Sequence, residues 1–363
     1  MRFTARIQRL LPALADAELD GLLVSDPVNV RYLSGFTGDS SSLLITGHGT
    51  SILSDRRFET QIASECPELT PQIRGPETRM TEWIGSVVRE AGIKRLGLED
   101  HAVPWSLLRG IEKTLAGVAL TPTSGWVSEL RAVKDEQELE TIRRAVRCGE
   151  RAFGVLRASL REGMSELEAA YLLEAAIRQF GGSGCGFPSI VAVGPSGALP
   201  HYQPGRAMIT AGQGLLVDWG ARFEGYTSDL TRTLSMGRAT PRMRELYPIV
   251  LEAQLAAIEA IRPGVLLRDV DAAARQVIAA AGYGEAFSHS LGHGIGLEVH
   301  EPPRLASPES GKLAAGMVVT VEPGIYLPGE IGIRLEDDVL VTPGGHEVLS
   351  SLPKGLEETE VIL

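Results

Sequence analysis

The amino-acid sequence predicts an α/β protein in two parts, an N-terminal α/β domain over residues 1–124 and a C-terminal α+β domain over residues 125–363. Short apolar runs alternate with helical periodicity in the first part, which is typical of an α/β layer. Long helices with clear start and stop signals dominate the middle of the chain. Strand-like segments that carry acidic residues lie between and after them, and they indicate a curved, mostly antiparallel sheet covered by helices.

In the first part, strands are predicted at residues 21–24, 42–45, 50–53 and 95–98. Residues 80–91 have the apolar spacing of an amphipathic helix. Residues 121–125 are rich in turn-forming side chains, so we expect them to link the two domains. Acidic residues interrupt residues 1–20 too early for a signal peptide, and we interpret that segment as an ordinary amphipathic helix.

In the second part, long helices are predicted at about residues 135–160, 165–180, 240–262 and 269–281. Ser165 and Glu168 have the spacing of a capping box, which fixes the start of the second helix. Thr240 and Pro241 supply an N-cap and a proline in the first turn of the third. All the candidate ligands described below lie outside these helices.

The composition narrows the class of partner. The chain has 363 residues, of which 44% are hydrophobic and 22% charged, as in an ordinary globular protein. The net charge of -11 and the lack of a lysine or arginine run argue against nucleic acid and anionic membranes as partners. No stretch is long enough to cross a membrane. Three widely spaced cysteines form no disulfide framework, so a cytoplasmic location is expected. For Cys185, in a glycine-rich loop, a structural role is favoured over a nucleophile.

The candidate ligands combine four carboxylates with one imidazole: Asp218, Asp229, His293, Glu322 and Glu336. Alone, Asp218 is interpretable as a turn residue at the end of a strand. The acids at 229, 322 and 336 instead stand where apolar side chains belong, and an unpaired buried charge is costly. Such an oxygen-rich set suits Mn²⁺, Co²⁺ or Zn²⁺ and has enough charge for two ions, so hydrolytic chemistry is expected. The glycines around His293 are expected to let the backbone approach a ligand closely.

The words around these residues resemble a known family. GPSGALPHY, LVDWGA, SDLTRT, GHGIGLEVHEPP, VEPGIY and IRLEDDVLVT are similar to motifs of the pita-bread metallopeptidases. NVRYLSGFTG and LRAVKDEQELETIRRA resemble the creatinase/prolidase-like N-terminal domain and the junction of the Xaa-Pro peptidase branch, which contains prolidase and aminopeptidase P. Trp219 departs from the residue more usual after the first aspartate, which is expected to change packing rather than ligation.

The resemblance implies a role for each member of the set. Asp218 would bind one metal ion, His293 and Glu322 the other, and Asp229 and Glu336 both. Two divalent ions per subunit are expected, with Mn²⁺ as the first choice and Co²⁺ or Zn²⁺ as alternatives. Glu322 would carry a proton between the nucleophile and the leaving nitrogen.

Residues beyond the ligands receive roles from the same resemblance. His201 and His300 would bind the substrate and the oxyanion. Arg334 would pair with a ligand carboxylate, although we place its side chain opposite that of Glu336 in the alternation. Arg304 would clamp a substrate carboxylate, or it is simply a solvated side chain; the two interpretations stay open. The expected substrates are proline-containing peptides.

Several points stay open at this stage. Methionine-aminopeptidase-like activity and a non-catalytic peptide-binding relative are alternative functions. A preference for dipeptides or for longer peptides is undecided. A homodimer is expected, with the N-terminal domain of one subunit bordering the active site of the other.

Overall fold

The fold described here is that of a computed structural model, which describes residues 2–362. The chain divides into two compact units, Met1–Arg131 and Ala132–Leu363. Each unit has its own hydrophobic core. Among the described residues, no helix combines the length and the apolar character that crossing a bilayer requires.

The first unit is built around one mixed sheet with strand order β4-β3-β2-β1-β5-β6. Its strands are β1 (Gly21–Val24), β2 (Ser42–Thr46), β3 (Gly49–Asp55), β4 (Thr70–Arg74), β5 (Arg95–Glu99) and β6 (Ala119–Thr123). The helices up to its end are α1 (Arg2–Gln8), α2 (Leu11–Asp16), α3 (Pro27–Ser34), α4 (Glu59–Glu65), α5 (Met80–Glu90), α6 (Trp105–Thr114) and α7 (Trp126–Ala132). The four predicted strands and the helix predicted at 80–91 are confirmed.

The predicted linker at residues 121–125 is wrong in part, because its first three residues belong to β6. Strand β6 pairs parallel with β5 and lies at the edge of the sheet. Proline has no N–H for a neighbouring strand, but at an edge that loss costs little. Pro122 therefore looked like a turn residue in sequence while serving in an edge strand.

The second unit contains the long helices α8 (Glu136–Ser159), α9 (Glu166–Gln179), α10 (Pro241–Ala260) and α11 (Leu267–Ala280). All four match the predicted helices to within a few residues. The capping box of Ser165 and Glu168 is present, and the Thr240 side chain caps α10. The caps satisfy backbone N–H groups that a helix leaves unpaired at its start.

The strands of the second unit form several small sheets that are mostly antiparallel. They are β7 (Gly184–Cys185), β8 (Ile190–Val193), β9 (Gly214–Trp219), β10 (Ala221–Phe223), β11 (Tyr226–Thr227), β12 (Leu230–Met236), β13 (Gly292–Gly294), β14 (Glu301–Leu305), β15 (Val318–Val321), β16 (Gly324–Leu327), β17 (Ile331–Arg334), β18 (Asp337–Thr342), β19 (Gly345–Val348) and β20 (Glu360–Val361). Two sheets matter for function, one ordered β20-β12-β9-β8 and the other β14-β13-β15-β18-β19.

Two apolar cores attach the helices to these sheets. Leu156 of α8 and Ile177 of α9 belong to the same buried cluster as Val217 of β9. Val250 of α10 lies in a second buried cluster with Val319 of β15. Fully burying such side chains contributes about 1.5–3 kcal/mol each, so the helices keep each sheet firmly covered.

Trp219 shows how the packing accommodates an unusual residue beside Asp218. Its ring is fully buried, stacks on Phe153 at a centroid distance of 4.3 Å and donates a hydrogen bond of 3.0 Å to the carbonyl of Gly149. Both partners belong to α8. The tryptophan therefore anchors the end of β9 against a helix, as expected for a change in packing.

Candidate metal centre

Asp218 and Asp229 lie on adjoining strands of the four-stranded sheet. Asp218 is in β9, and Asp229 immediately precedes β12. The strands pair antiparallel with Thr231 opposite Asp218. Both acids are buried, with 9% and 5% of their surface exposed. Two carboxylates are thus held inside the protein at the same end of one sheet.

The other three predicted ligands belong to the five-stranded sheet. His293 lies in β13, Glu322 follows β15 and Glu336 precedes β18. Strand β15 pairs with β13 on one side and with β18 on the other. An isolated bridge between Thr231 and Glu336 joins this sheet to the four-stranded one. All five predicted ligands therefore lie where the two sheets meet.

The side chains converge closely at this junction. Ligand atoms of Asp229, His293 and Glu336 all lie within 4.8 Å of one another. His293 Nε2 is 3.7 Å from Asp229 Oδ2 and 3.4 Å from Glu322 Oε1. Asp218 accepts a hydrogen bond of 2.6 Å at Oδ2 from Arg334 Nη2.

The crowding of buried carboxylates changes their acidity. Burial raises the pKa of Asp229 well above its ordinary value, and the charges of Glu336 and Asp218 add to the effect. Burial followed by the charge of Glu322 raises the pKa of Glu336 in the same way. Burial raises the pKa of Glu322 itself to about 8. Holding all these groups ionised at neutral pH requires added positive charge.

The donor atoms fit divalent cations. His293 Nδ1 donates to the carbonyl of Gly294 at 3.0 Å, so the lone pair of Nε2 faces the carboxylates. Burial lowers the pKa of His293 to about 4, which keeps the imidazole neutral. The buried Oδ1 of Asp218 has no hydrogen-bond partner among the described residues. A neutral imidazole, an unsatisfied carboxylate oxygen and excess negative charge together favour Mn²⁺, Co²⁺ or Zn²⁺.

Arg334 and Glu336 share a contact that the sequence did not reveal. Thr231 Oγ1 donates to Glu336 Oε2 at 2.7 Å and accepts from Arg334 Nε at 3.2 Å. Our placement of the two side chains on opposite sides of the strand was wrong, because residues two apart in extended chain point to the same face. Arg334 also donates from Nη1 to the hydroxyl of Tyr326 at 2.8 Å.

Sequence reasoning missed two further supports of the site. Asp338 Oδ2 accepts a hydrogen bond of 3.0 Å from the backbone N–H of Asp229. Thr320 Oγ1 accepts from the backbone N–H of His293 at 3.1 Å and lies 3.4 Å from Glu322 Oε1. Asp338 carries a signal that could have identified it, since it is one of two buried acids at the start of a strand that continues with Val339, Leu340 and Val341. Thr320 carries none, because threonine is common in strands.

His201, His300 and Arg304 lie around the site rather than among the ligands. The His300 ring lies 4.4 Å from the His293 ring between centroids, nearly edge to face. Burial raises the pKa of Asp218, while Arg334 and, to a smaller extent, His201 act in the opposite direction, so His201 lies within electrostatic reach of this carboxyl. Arg304 is opposite His293 in the pairing of β13 and β14. All three side chains are exposed, so they are accessible to a bound peptide.

His289 and Cys185 behave as structural groups. His289 Nδ1 donates to the carbonyl of Ser290, and its Nε2 accepts from the Tyr326 hydroxyl, each at 2.8 Å. Cys185 is partly buried, and burial raises the pKa of its thiol. A thiol with a raised pKa is a poor nucleophile at neutral pH, which supports the structural interpretation.

The glycines beside His293 allow close packing of the backbone. A Cβ at Gly292 would overlap the carbonyl of Thr320, and a Cβ at Gly294 would overlap the carbonyl of Pro302. Strand β13 is therefore pressed between its two neighbours. Our expectation that these glycines let the backbone approach a ligand stays a prediction.

Comparison with known proteins agrees with this architecture. The model of metallopeptidase family M24 matches residues 140–343, and that of the creatinase/prolidase N-terminal domain matches residues 6–133. The chain is 34% identical over 356 residues to the uncharacterized peptidase YqhT of Bacillus subtilis, covering 97% of this chain and 99% of the relative.

Solved structures extend the likeness to the whole fold. An Xaa-Pro dipeptidase from Bacillus anthracis superposes with a TM-score of 0.95 at 36% identity, covering 99% of this chain and 100% of the other. An X-Pro aminopeptidase from Thermotoga maritima gives a TM-score of 0.90 at 36% identity over the same shares. With family models matching both units and a buried donor set between its sheets, the chain belongs to metallopeptidase family M24, in its prolidase and aminopeptidase P branch.

Proposed function

We propose that the protein is a dinuclear-metal peptidase that hydrolyses the Xaa-Pro bond at the N-terminus of peptides. The observation that carries the proposal is the convergence of three buried carboxylates, the partly buried Glu322 and one neutral imidazole at the junction of two sheets. The activities named for the Bacillus anthracis and Thermotoga maritima structures support the choice of Xaa-Pro peptides. The bond before proline lacks an N–H, which distinguishes it from ordinary peptide bonds.

In this proposal the donor set holds two ions. Asp218 would hold one, His293 and Glu322 would hold the other, and Asp229 and Glu336 would contribute to both. Divalent ions at these positions supply a water nucleophile of lowered pKa and polarise the scissile carbonyl. Mn²⁺ is our first choice, with Co²⁺ or Zn²⁺ as alternatives, because all three accept oxygen and imidazole ligands.

The remaining residues act on the substrate or on the ligands. Glu322, whose Oε1 lies 3.4 Å from His293 Nε2, carries a proton to the leaving imino nitrogen. His201 and His300 donate hydrogen bonds to the substrate and to the charge that develops on the carbonyl oxygen. Arg334 orients Asp218 through its 2.6 Å hydrogen bond, and its charge favours the ionised carboxylate against burial, which raises the pKa of Asp218.

Arg304 decides substrate length in this proposal. Its register opposite His293 on an exposed strand position supports a clamp on the carboxylate of an Xaa-Pro dipeptide. A guanidinium binds a carboxylate through two hydrogen bonds, which an internal amide does not reproduce. Arg304→Ala should therefore raise KM for Xaa-Pro far more than for Xaa-Pro-Yaa. Equal losses on both substrates would favour an aminopeptidase that recognises only the first residues.

The decisive experiment combines metal analysis with activity. Protein purified without chelator, and chelated protein reloaded with Mn²⁺, should bind about two ions per chain and cleave Xaa-Pro peptides, but not matched Xaa-Ala peptides. A protein without metal, or one that prefers N-terminal methionine before alanine, would contradict the proposal. We further propose that the protein is cytoplasmic and forms a homodimer. Light scattering at working concentration is the direct test of the homodimer.

A further inference from the structure

Glu166 is a fully buried carboxylate that lies outside the donor set. It is the first residue of α9 and has 0% of its surface exposed. A buried carboxylate is costly unless its oxygens receive hydrogen bonds, so its partners indicate why the residue is there. Its place at the start of a helix adds favourable interaction with the helix dipole.

The three partners of this carboxylate are neutral donors from one stretch of chain. Oε1 accepts from the backbone N–H of Val193 at 2.8 Å. Oε2 accepts from the Tyr202 hydroxyl and from the backbone N–H of Gly205, each at 2.9 Å. One carboxylate thus binds three residues that are separated along the sequence.

The three residues that donate to Glu166 flank His201 in the sequence. Val193 ends β8 before it, while Tyr202 and Gly205 follow it. The backbone N–H of Tyr202 donates to the carbonyl of Leu199 at 3.2 Å, which closes the turn that carries His201. Backbone bonds continue the attachment, since Leu167 N–H donates to the Gly205 carbonyl at 3.1 Å. His201 itself is exposed, so its orientation depends on this turn.

We propose that Glu166 is a positioning residue that holds the His201 turn through Tyr202 and Gly205. The inference rests on the proposed function, in which His201 donates a hydrogen bond to the substrate. Catalysis is sensitive to such placement, because a shift of about 1 Å in a positioned group can cost on the order of 10²-fold in rate. Glu166 touches none of the five ligands in its three hydrogen bonds, so metal binding is independent of it.

The test is a double-mutant cycle on the metal-loaded protein. Tyr202→Phe removes one of the three bonds at almost constant shape, and Glu166→Gln removes an acceptor for a buried N–H. We expect each change to lower kcat for Xaa-Pro peptides about tenfold while the metal content stays constant. In the His201→Ala background the same changes should alter kcat by no more than about twofold, because coupled residues are not additive.

A matched control comes from the same helix. Glu168→Gln makes the same chemical change two residues along, where the carboxylate accepts its hydrogen bonds, among residues 2–362, from Ser165. This variant should keep the kcat of the wild type. Losses of equal size in the presence and absence of His201 would overturn the inference, since they would indicate a general effect on folding.

Hydrogen exchange tests the inference without activity. In Tyr202→Phe and Glu166→Gln, the amides of residues 199–205 should exchange faster than in the wild type, and those of β9 should not. Unchanged exchange in that segment would overturn the inference. A wild-type protein that binds metal yet leaves Xaa-Pro peptides intact would instead contradict the proposed function, and the exchange result would still decide whether Glu166 holds the turn.

Discussion

At the scale of single residues, the main feature of the site is its excess of acidic side chains. Burial dominates the raised pKa of Asp229, Glu322 and Glu336, and the repulsion among the carboxylates adds to it. Within the described part of the chain, Asp218 is the one carboxylate that forms an ion pair with Arg334. Removing one of the acids is therefore expected to affect ions more than folding, because it relieves repulsion in the metal-free protein.

Asp229→Ala and Glu336→Ala should abolish both hydrolysis and binding of two ions, since each residue is proposed to contact both. The measurement is metal content by elemental analysis beside turnover of an Xaa-Pro peptide. The exposed Glu330, which pairs with Arg242 on the surface, gives a matched control as Glu330→Ala. Two bound ions and ordinary turnover in either site variant would contradict the ligand assignment.

His201→Ala and His300→Ala should keep the metal ions and lose on the order of 10²-fold in kcat, the typical result of removing an oxyanion or positioning donor. Their exposed side chains, and the fact that neither belongs to the close group of Asp229, His293 and Glu336, motivate the difference from Asp229. Metal titration separates the roles. An empty site in either variant would make that histidine a ligand.

At the scale of elements, the site depends on how tightly β13 packs against its neighbours. A Cβ on Gly292 would overlap the Thr320 carbonyl, and Thr320 in turn binds the backbone of His293. The strand that carries His293 therefore has no room to shift. This close contact places the imidazole beside carboxylates from other strands.

Gly292→Ala should lower the free energy of unfolding by about 2 kcal/mol or more, the range expected for overpacking, and should weaken metal binding by displacing His293. Denaturant titration and metal affinity measure the two effects. Gly154→Ala is the control. Gly154 is an exposed position of α8, and a Cβ there would meet nothing within 4 Å. That change should be neutral or stabilising by up to ~1 kcal/mol. Equal behaviour of the two variants would refute the packing argument.

At the scale of the whole molecule, we expect the stability of the metal-free protein to depend on pH and that of the metal-loaded protein not to fall over the same range. The folded-state pKa of Glu322 is about 8 against an ordinary 4.5. The folded state therefore holds its proton more tightly than the unfolded state. The stability from this group is fully present below pH 4.5 and is lost as pH rises through 8.

The chelated protein should therefore lose melting temperature between pH 4.5 and 8, whereas the Mn²⁺-loaded protein should not, because bound ions replace the protons. Thermal melts across this range give the measurement. Glu322→Gln, which cannot ionise, should show a shallower loss when chelated. A chelated wild type whose melting temperature rises steadily over the range would show that these acids are not protonated in the folded state.

Local pattern was sufficient for much of the fold. Helices α8 to α11 were predictable because caps, prolines and apolar periodicity are encoded within a few neighbouring residues. Strand β6 was not, because an edge position that tolerates Pro122 depends on the sheet as a whole. The small sheets of the second unit follow the same logic, since register between distant strands is not visible in local alternation.

The sequence by itself determined the chemistry of the protein: which acids and which histidine are available, and the long helices that bracket the segments carrying them. Only the tertiary structure decided the geometry, because the bridge between Thr231 and Glu336 joins residues far apart in the chain. The same holds for Asp338 on the backbone of Asp229 and for Glu166 on the turn of His201. Such contacts depend on the packing of distant strands and helices, whose free energy is not written in any single local segment.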